Sequence, residues 1–322
     1  MPKKWLARAG LVVASMGVVF LVAEAAVRLT WTEPWYERLE EEQSRSEFEW
    51  FSMGPRHLPL RQAPDTTPKA EGTRRVLFLG DSFTYGLGVA EDESFVSIVR
   101  ERLAAQRDEQ LQAFNGGIPG SMTEHWRLLF EKMGAEYEPD VVVTVFFLRD
   151  GVEGLTTRGL IGHVRKELQE RSRTSVAYQI SALYRLVAAA LAQRRLSDWY
   201  LGWIETGYVG PPEQTAEWRR AQETLLDLRE QTERSGGRFV LVIFPVLFGL
   251  DQDEYPVQAA VDAIEDFAQR HDIPVLSLLP TYRGMHAPDL WVSALDQHPN
   301  VDAHRLAADA IVPFVSEQLA PR

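Results

Sequence analysis

From residue 74 onward, short apolar runs alternate with segments that have helical spacing. Five runs are apolar on both faces, as is typical of buried strands: residues 76–80, 111–115, 140–148, 238–246 and 274–278. The stretches between them include helical patterns over residues 94–106 and 123–137. Apolar strands separated by helices predict an α/β fold, a three-layer α/β/α sandwich around a five-stranded parallel sheet.

A long segment, about residues 151–234, separates the third predicted strand from the fourth. Within it, residues 174–195 predict a strongly apolar helix, and residues 198–212 are rich in aromatics and Gly and are interpreted as a flexible loop. Two interpretations stay open. The segment is either a helical insertion that packs on the sheet, or a cap or membrane-facing lid beside an active site.

The first 31 residues have the pattern of a membrane segment. Basic residues precede an apolar run over residues 11–23, and Glu24 and Arg28 are spaced so that their charges can meet. This pattern predicts a transmembrane helix acting as a signal anchor. Because the basic residues stay inside, the remaining chain is expected outside the cytoplasm, as a single-pass protein of the cell membrane. One alternative is a secretory signal cleaved near residues 23–25, and another is a helix of a soluble protein.

The net charge and the absence of Cys argue against some classes of function and exclude others. The chain has 322 residues, is 45% hydrophobic and carries a formal net charge of −12. No basic face is visible that would replace the counterions of a nucleic acid, so nucleic-acid binding is not expected. The absence of Cys excludes disulfides, thiolate metal sites and Cys nucleophiles. Residues 32–73, which are charged and rich in Pro, are interpreted as a linker to a domain over residues 74–322.

Polar and Gly-rich motifs follow the predicted strands. Gly80-Asp81-Ser82 ends the first strand, residues 115–120 follow the second, and residues 146–151 end the third. A further polar loop, residues 295–300, precedes the last helix. Ligands of open parallel sheets bind outside the carboxyl ends of the strands, so these motifs are expected to converge.

The residue types in these motifs suit acyl transfer. Ser82 is a poor nucleophile unless a base takes its proton, and His298 can be that base. Asp296 can orient the imidazole and stabilise its charged form. The backbone N–H groups of Ser82 and Gly120 are candidate donors to an oxyanion. Taken singly, Gly-Asp-Ser is more typical of a turn with a helix cap.

The chain resembles the SGNH or GDSL esterase/lipase superfamily, in its exported bacterial form with an N-terminal membrane segment. Three blocks carry the resemblance: "FLGDSFTYGLGV", "NGGIPGSMT" and "DQHPN". The resemblance implies a flavodoxin-like sandwich, a Ser82-His298-Asp296 catalytic triad and Gly120 as the oxyanion glycine. Supporting roles are implied for Asp81, Asn115, Gly117 and Asp150, with Gly117 as a turn residue.

A further block, at the end of the third predicted strand, departs from the family pattern. The family has Asn followed by Asp, whereas this chain has Arg149-Asp150. The Asn side chain supplies an N–H group to the oxyanion, and Arg149 can substitute in that role because guanidinium is a multiple donor. Alternatively, Arg149 turns away or pairs with Asp150. Asp296 also precedes His298 by two residues, where many members have three.

The expected function is hydrolysis of an ester, with a small molecule or a glycan ester as substrate and without a cofactor or metal. One alternative is an O-acetyltransferase or deacetylase of cell-envelope polysaccharide, which would use the same triad. Another is a non-catalytic binding module on a degenerate hydrolase fold. A metal hydrolase is a further alternative, because Asp302-Ala303-His304 repeats the spacing of Asp296 and His298.

Overall fold

The computed structural model describes residues 2–30, 61, 68–106, 110–134, 136–152, 170–171, 174–293 and 296–320. Most of the predicted linker over residues 32–73 therefore lies outside the described residues. The chain divides into two compact units. The first comprises Met1–Ser44 with Gly154–Tyr200, and the second comprises Arg45–Glu153 with Leu201–Arg322.

The second unit is built on the predicted sheet. Its strands are β1 (Thr73–Gly80), β2 (Gln110–Gly117), β3 (Val141–Phe147), β4 (Arg238–Phe244) and β5 (Val275–Ser277). They are all parallel and lie in the order β2-β1-β3-β4-β5. The strands form because their residues are apolar on both faces, and all seven residues of β3 are buried. This confirms the five-stranded α/β/α prediction.

Helices flank this sheet. In chain order they are α2 (Ser82–Tyr85), α3 (Phe95–Ala105) and α4 (Thr123–Leu129), and later α7 (Ala216–Arg234), α8 (Gln258–Arg270), α9 (Leu279–Tyr282) and α10 (Val301–Gln318). Helix α3 packs against α10, and α4 against α7. The α-helical part of the predicted helix over residues 123–137 ends earlier than expected, because a wider helical turn, Phe130–Gly134, follows α4.

A short antiparallel hairpin precedes α10. Its strands are β6 (Trp291–Ser293) and β7 (Asp296–Pro299). The Trp291 Nε1–H donates to the Leu247 carbonyl at 2.8 Å, which attaches the hairpin to the segment after β4. Asn300 then caps α10, since its side chain accepts the Ala303 N–H at 3.0 Å. These contacts fix the position of β7, the strand that carries His298.

The first unit contains α1 (Pro2–Thr30), α5 (Val176–Ile180) and most of α6 (Ala182–Val209), a helix divided between the units at Tyr200. Arg28 pairs with Glu24 at 2.8 Å, as the spacing predicted. The Glu24 carboxylate also accepts the N–H groups of Ala182 at 2.8 Å and Leu183 at 3.0 Å, so it caps α6 within this unit.

The prediction of a flexible loop over residues 198–212 was wrong up to Val209. That stretch continues α6, because Ile204 and Tyr208 lie one helical turn apart and are both buried in the second unit. Gly207 allows close packing there, since a Cβ atom at this position would lie 2.0 Å from the Val152 side chain. Burial of the aromatic and aliphatic side chains outweighs the low helix propensity of the glycines.

Candidate active site

The turn after β1 presents Ser82 at the carboxyl end of the sheet. Asp81 caps α2, because its Oδ1 atom accepts the Phe83 N–H at 2.9 Å. Ser82 is therefore the first residue of the helix and not its cap, so its hydroxyl is available for another contact. The residue is 7% exposed. The sequence left open whether Ser82 served as cap or nucleophile, and the structure gives the capping role to Asp81.

Ser82 is brought together with His298 and Asp296 although it lies more than two hundred positions from both in sequence. His298 Nε2 lies 3.1 Å from Ser82 Oγ, and His298 Nδ1 lies 2.6 Å from Asp296 Oδ1. Both distances are within hydrogen-bonding range. The hairpin β6–β7 supplies the imidazole and the carboxylate, and the turn after β1 supplies the hydroxyl.

The hydrogen bonds of the hairpin orient the His298 ring toward Ser82. A carboxylate accepts only, so Nδ1 carries the ring proton and Nε2 directs its lone pair at the Ser82 hydroxyl. Partial burial alone would raise the pKa of Asp296, but the side-chain hydrogen bond, the charge and the backbone N–H of His298 together outweigh it, and the pKa is lowered. Asp296 therefore stays ionised and can stabilise a positive charge on His298.

Two phenylalanine rings lie beside the proposed triad. The Phe83 ring lies 5.6 Å from the His298 ring, centroid to centroid, and stacks on Phe147 at 4.1 Å. Phe83 thereby links the nucleophile turn to the end of β3. These rings form an apolar support for the imidazole.

The end of β2 is fixed beside the nucleophile turn. The Asn115 Nδ2 group donates to the Thr84 carbonyl at 2.9 Å, and its Oδ1 atom accepts the Gly117 N–H at 3.0 Å. Gly117 is the last residue of β2 and pairs with Gly80 of β1, so the structure places this glycine in the strand and not in a turn. A Cβ atom on Gly117 would lie 2.2 Å from the Tyr85 nitrogen, so the backbones of β2 and α2 are in close contact.

Gly120 occupies a tight turn tied to the end of β1. The Ser121 N–H donates to the Ile118 carbonyl, and Gly120 has a φ of +76° after Pro119, as in a type II turn. The Ser121 hydroxyl donates to the Gly80 carbonyl at 3.1 Å. The Gly120 N–H makes no hydrogen bond to another described residue, which leaves it able to serve a ligand.

Arg149 lies after β3 and contacts two buried carboxylates. Its Nη2 atom is 3.3 Å from Asp81 Oδ2 and 3.4 Å from Asp150 Oδ1. Asp150 is itself held by the Phe147 N–H, which its Oδ2 atom accepts at 3.0 Å. Of the two alternatives considered for Arg149, this geometry favours pairing with carboxylates.

The second Asp-x-His pair does not join the first in one site. The His304 ring is fully buried, and its Nδ1 atom accepts the Phe95 N–H at 3.2 Å, whereas the Asp302 side chain is 73% exposed. Within the described ranges, no group of three His, Cys, Asp or Glu side chains is arranged to hold a metal ion. The described residues therefore offer no such set of metal ligands to support the metal-hydrolase alternative.

Several residues of the site carry no recognisable sequence signal. The Trp126 Nε1–H donates to the Ser121 hydroxyl at 2.7 Å and so supports the loop that contains Gly120. Phe83 and Phe147 meet only because β1 and β3 are neighbours. In the sequence, Trp126, Phe83 and Phe147 have the pattern of ordinary core residues. Only the position of Ser121 next to Gly120 indicates a link to the site.

A five-stranded parallel sheet with Gly-Asp-Ser after β1 and Asp-x-His before the last helix defines the SGNH class of ester hydrolases, and this chain is an enzyme of that class. Residues 78–306 match the GDSL-like Lipase/Acylhydrolase family. The chain therefore belongs to the GDSL-like lipase/acylhydrolase family, as the sequence motifs predicted.

Similar solved structures include TesA, with 15% identity, 76% of this chain and 100% of that chain covered, and a TM-score of 0.47. A catalytic mutant of Axe2, an acetylxylan esterase from Geobacillus stearothermophilus, has 15% identity, 77% and 97% coverage and a TM-score of 0.46. The lipase/acylhydrolase from Enterococcus faecalis has 17% identity, 77% and 98% coverage and a TM-score of 0.44. No curated protein sequence matches the chain.

Proposed function

We propose that this protein is a serine esterase in which Ser82 is the nucleophile, His298 the general base and Asp296 the residue that orients the base. One observation carries the proposal: the continuous contact from Asp296 through His298 to Ser82, at 2.6 and 3.1 Å. Family membership supports ester hydrolysis as the reaction.

In the first half of the reaction, Ser82 Oγ attacks the ester carbonyl while its proton passes to His298 Nε2. The resulting imidazolium is stabilised by Asp296. The tetrahedral intermediate then collapses, the bond to the alcohol breaks, and the alcohol leaves with the proton from His298. The product of this half is an acyl group on Ser82.

In the second half, a water molecule attacks the acyl carbonyl and gives its proton to His298. Collapse of the second intermediate breaks the bond to Ser82 Oγ, which recovers its proton, and releases the carboxylic acid. An acceptor hydroxyl in place of water would turn the same sequence into acyl transfer, and product analysis with and without an added glycan acceptor separates the two.

The proposed oxyanion donors are the backbone N–H groups of Ser82 and Gly120. The Ser82 N–H is the first amide of α2, and such amides have no partner within their own helix. Gly120 is held by Ser121, which bonds to Gly80 two residues before Ser82. Donors fixed in this way need no reorganisation when charge develops on the substrate.

The proposed substrate is a small-molecule ester or an ester on a glycan. The proposed location is the cell membrane, with α1 as a single-pass anchor and the hydrolase unit outside the cytoplasm. Residues Gly10–Thr30 form the one helix of the described part of the chain that is long and apolar enough to cross a bilayer. A signal sequence near the N-terminus would have the same length and composition.

Turnover of a short-chain p-nitrophenyl ester tests the proposed function. We expect Ser82→Ala and His298→Ala each to abolish turnover, and Asp296→Asn to lower kcat by about 10⁴-fold because the imidazole loses its orientation and charge partner. Asp302→Asn is the matched control, since this carboxylate is exposed on the first turn of α10.

Circular dichroism of each variant establishes that the fold is retained. Wild-type kcat in a folded Ser82→Ala or His298→Ala variant would contradict the proposed triad. The wild-type protein is also assayed on a panel of acyl esters and acetylated-glycan esters, and for acyl transfer to a glycan. If it shows neither hydrolysis nor transfer, the non-catalytic alternative is favoured.

A further inference from the structure

Arg149 lies where the pattern that this chain resembles has Asn, at the end of β3. Its guanidinium is largely buried, with 18% of the side chain exposed, and one nitrogen, Nη2, faces the carboxylates of both Asp81 and Asp150. Those carboxylates are 1% and 0% exposed. Charges removed from water to this extent require a counter-charge.

Both carboxylates also hold the backbone at the ends of neighbouring strands. Asp81 Oδ1 accepts the Phe83 N–H, which begins α2, and Asp150 Oδ2 accepts the Phe147 N–H at the end of β3. Asp81 directly precedes Ser82 in sequence. A contact between Arg149 and the two carboxylates therefore links the end of β3 to the turn that carries Ser82.

The charge balance of this cluster depends on Arg149. Burial raises the pKa of Asp81, and burial together with the negative charge of Asp81 raises the pKa of Asp150 well above its ordinary value. The positive charge of Arg149 opposes both shifts. Without it, two buried carboxylates that repel each other would remain next to the nucleophile turn.

We propose that Arg149 is a positioning residue, the counter-ion that Asp81 and Asp150 share and that so fixes the turn carrying Ser82, and that it does not replace the Asn as an oxyanion donor. An Asn at this position would be too short and uncharged to balance two carboxylates. The kinetic part of the proposal rests on the proposed esterase function, whereas the part that concerns stability does not.

The test is a double-mutant cycle on the full-length protein in detergent, with Arg149→Met, Asp150→Asn and their combination. Met keeps most of the length of the side chain and removes its charge, and Asn at position 150 can still accept the Phe147 N–H. Arg149→Lys, which keeps a charge, is a fourth variant. Arg127→Met is the matched control, because Arg127 has a similar exposure of 19% and pairs with exposed carboxylates, those of Glu124, Glu131 and Asp227.

We expect Arg149→Met to lower Tm by roughly 6–12 °C, the effect of stranding a buried charge in a domain of this size. We expect kcat to fall by about 10²-fold through misplacement of Ser82. Adding Asp150→Asn should restore most of the Tm and bring kcat back to within about tenfold of wild type, because one of the stranded charges is gone. Arg149→Lys should retain more Tm and kcat than Arg149→Met, and Arg127→Met should leave kcat unchanged.

Three outcomes would overturn the proposal. The first is an unchanged Tm in Arg149→Met, and the second is no recovery of Tm in the double variant. The third is recovery of Tm while kcat stays as low as in Arg149→Met, which would assign Arg149 to the oxyanion. The same Tm cycle in a Ser82→Ala background is independent of catalysis, so failure of the proposed function is distinguishable from failure of this inference.

Discussion

At the scale of single residues, a partly exposed His contrasts with a fully buried one. His298 faces Ser82, with 27% of its side chain exposed. His304 follows six positions later and has no exposed surface. The same Asp-x-His spacing therefore occurs in two different environments. His298 belongs to the proposed triad, whereas His304 packs against Phe95 in the core.

The burial of His304 predicts a pH dependence of stability. Burial, with the charges of Arg61 and His298, lowers the pKa of His304 from 6.5 to about 3. Between these two values the unfolded chain binds a proton that the folded chain does not, so the free energy of unfolding falls as the pH falls. Urea unfolding at pH 7 and pH 5 should show wild type losing about 2 kcal/mol more than His304→Gln does.

The control for this measurement is His286→Gln, because the His286 side chain is 63% exposed. The control variant should keep the pH dependence of wild type. Equal pH dependence in wild type and His304→Gln would contradict the assigned role of His304.

At the scale of elements, the site depends on close contact between the end of β2 and helix α2. A Cβ atom on Gly117 would lie 2.2 Å from the Tyr85 nitrogen and 2.7 Å from the Thr84 carbonyl carbon. Both contacts are with backbone, which cannot rotate away as a flexible side chain can. Helix α2 begins at Ser82, so a displacement there moves the proposed nucleophile.

Gly117→Ala should therefore lower kcat by about 10²-fold, the effect of misplacing a reacting group by about 1 Å. Ester turnover and a thermal melt measure the loss of activity and of stability. Gly202→Ala is the control, because the Cβ position on this helical glycine has no atom within 4 Å apart from its chain neighbours and the nearby backbone of its own helix. Wild-type kcat in Gly117→Ala would show that the close contact is not required.

The elements predicted correctly from the sequence are those with a strong local pattern of residues. The five strands are continuous apolar runs, and Gly-Asp-Ser and Asp-x-His stand out as motifs. The hairpin β6–β7 was missed because strands of three and four residues show no periodicity. Helix α6 was predicted only in part, since aromatics and glycines over residues 198–209 suggest a loop until their burial is known. The partners of Arg149 depend on the adjacency of β1 and β3 in space, which no local pattern reveals.

At the scale of the whole molecule, whether α1 is retained in the mature chain decides between an anchored enzyme and one released after signal cleavage. Its apolar residues are largely exposed, among them Leu11 at 69%, Val19 at 68% and Leu21 at 66%. A helix of about twenty such residues matches the thickness of the hydrocarbon core. Within the first unit, Glu24 and Arg28 satisfy each other's charges toward the end of this helix.

The proposed anchor predicts that the protein stays in the membrane fraction after carbonate extraction and that its N-terminal peptide is retained. Mass spectrometry of the extracted chain measures the second point. Replacing Val18 and Val19 by Lys should release the chain from membranes, because charges in the middle of a span are costly. A soluble mature chain that begins after residue 25 would contradict the anchor and favour the cleaved signal.

The central claim is that Ser82 is an activated nucleophile, and covalent labelling tests it most directly. A fluorophosphonate should label the wild-type protein stoichiometrically, with the adduct mapped by peptide mass spectrometry to Ser82. Labelling should be lost in Ser82→Ala and strongly slowed in His298→Ala, which lacks the base. Absence of labelling in folded wild-type protein, or an adduct on another residue, would contradict the account.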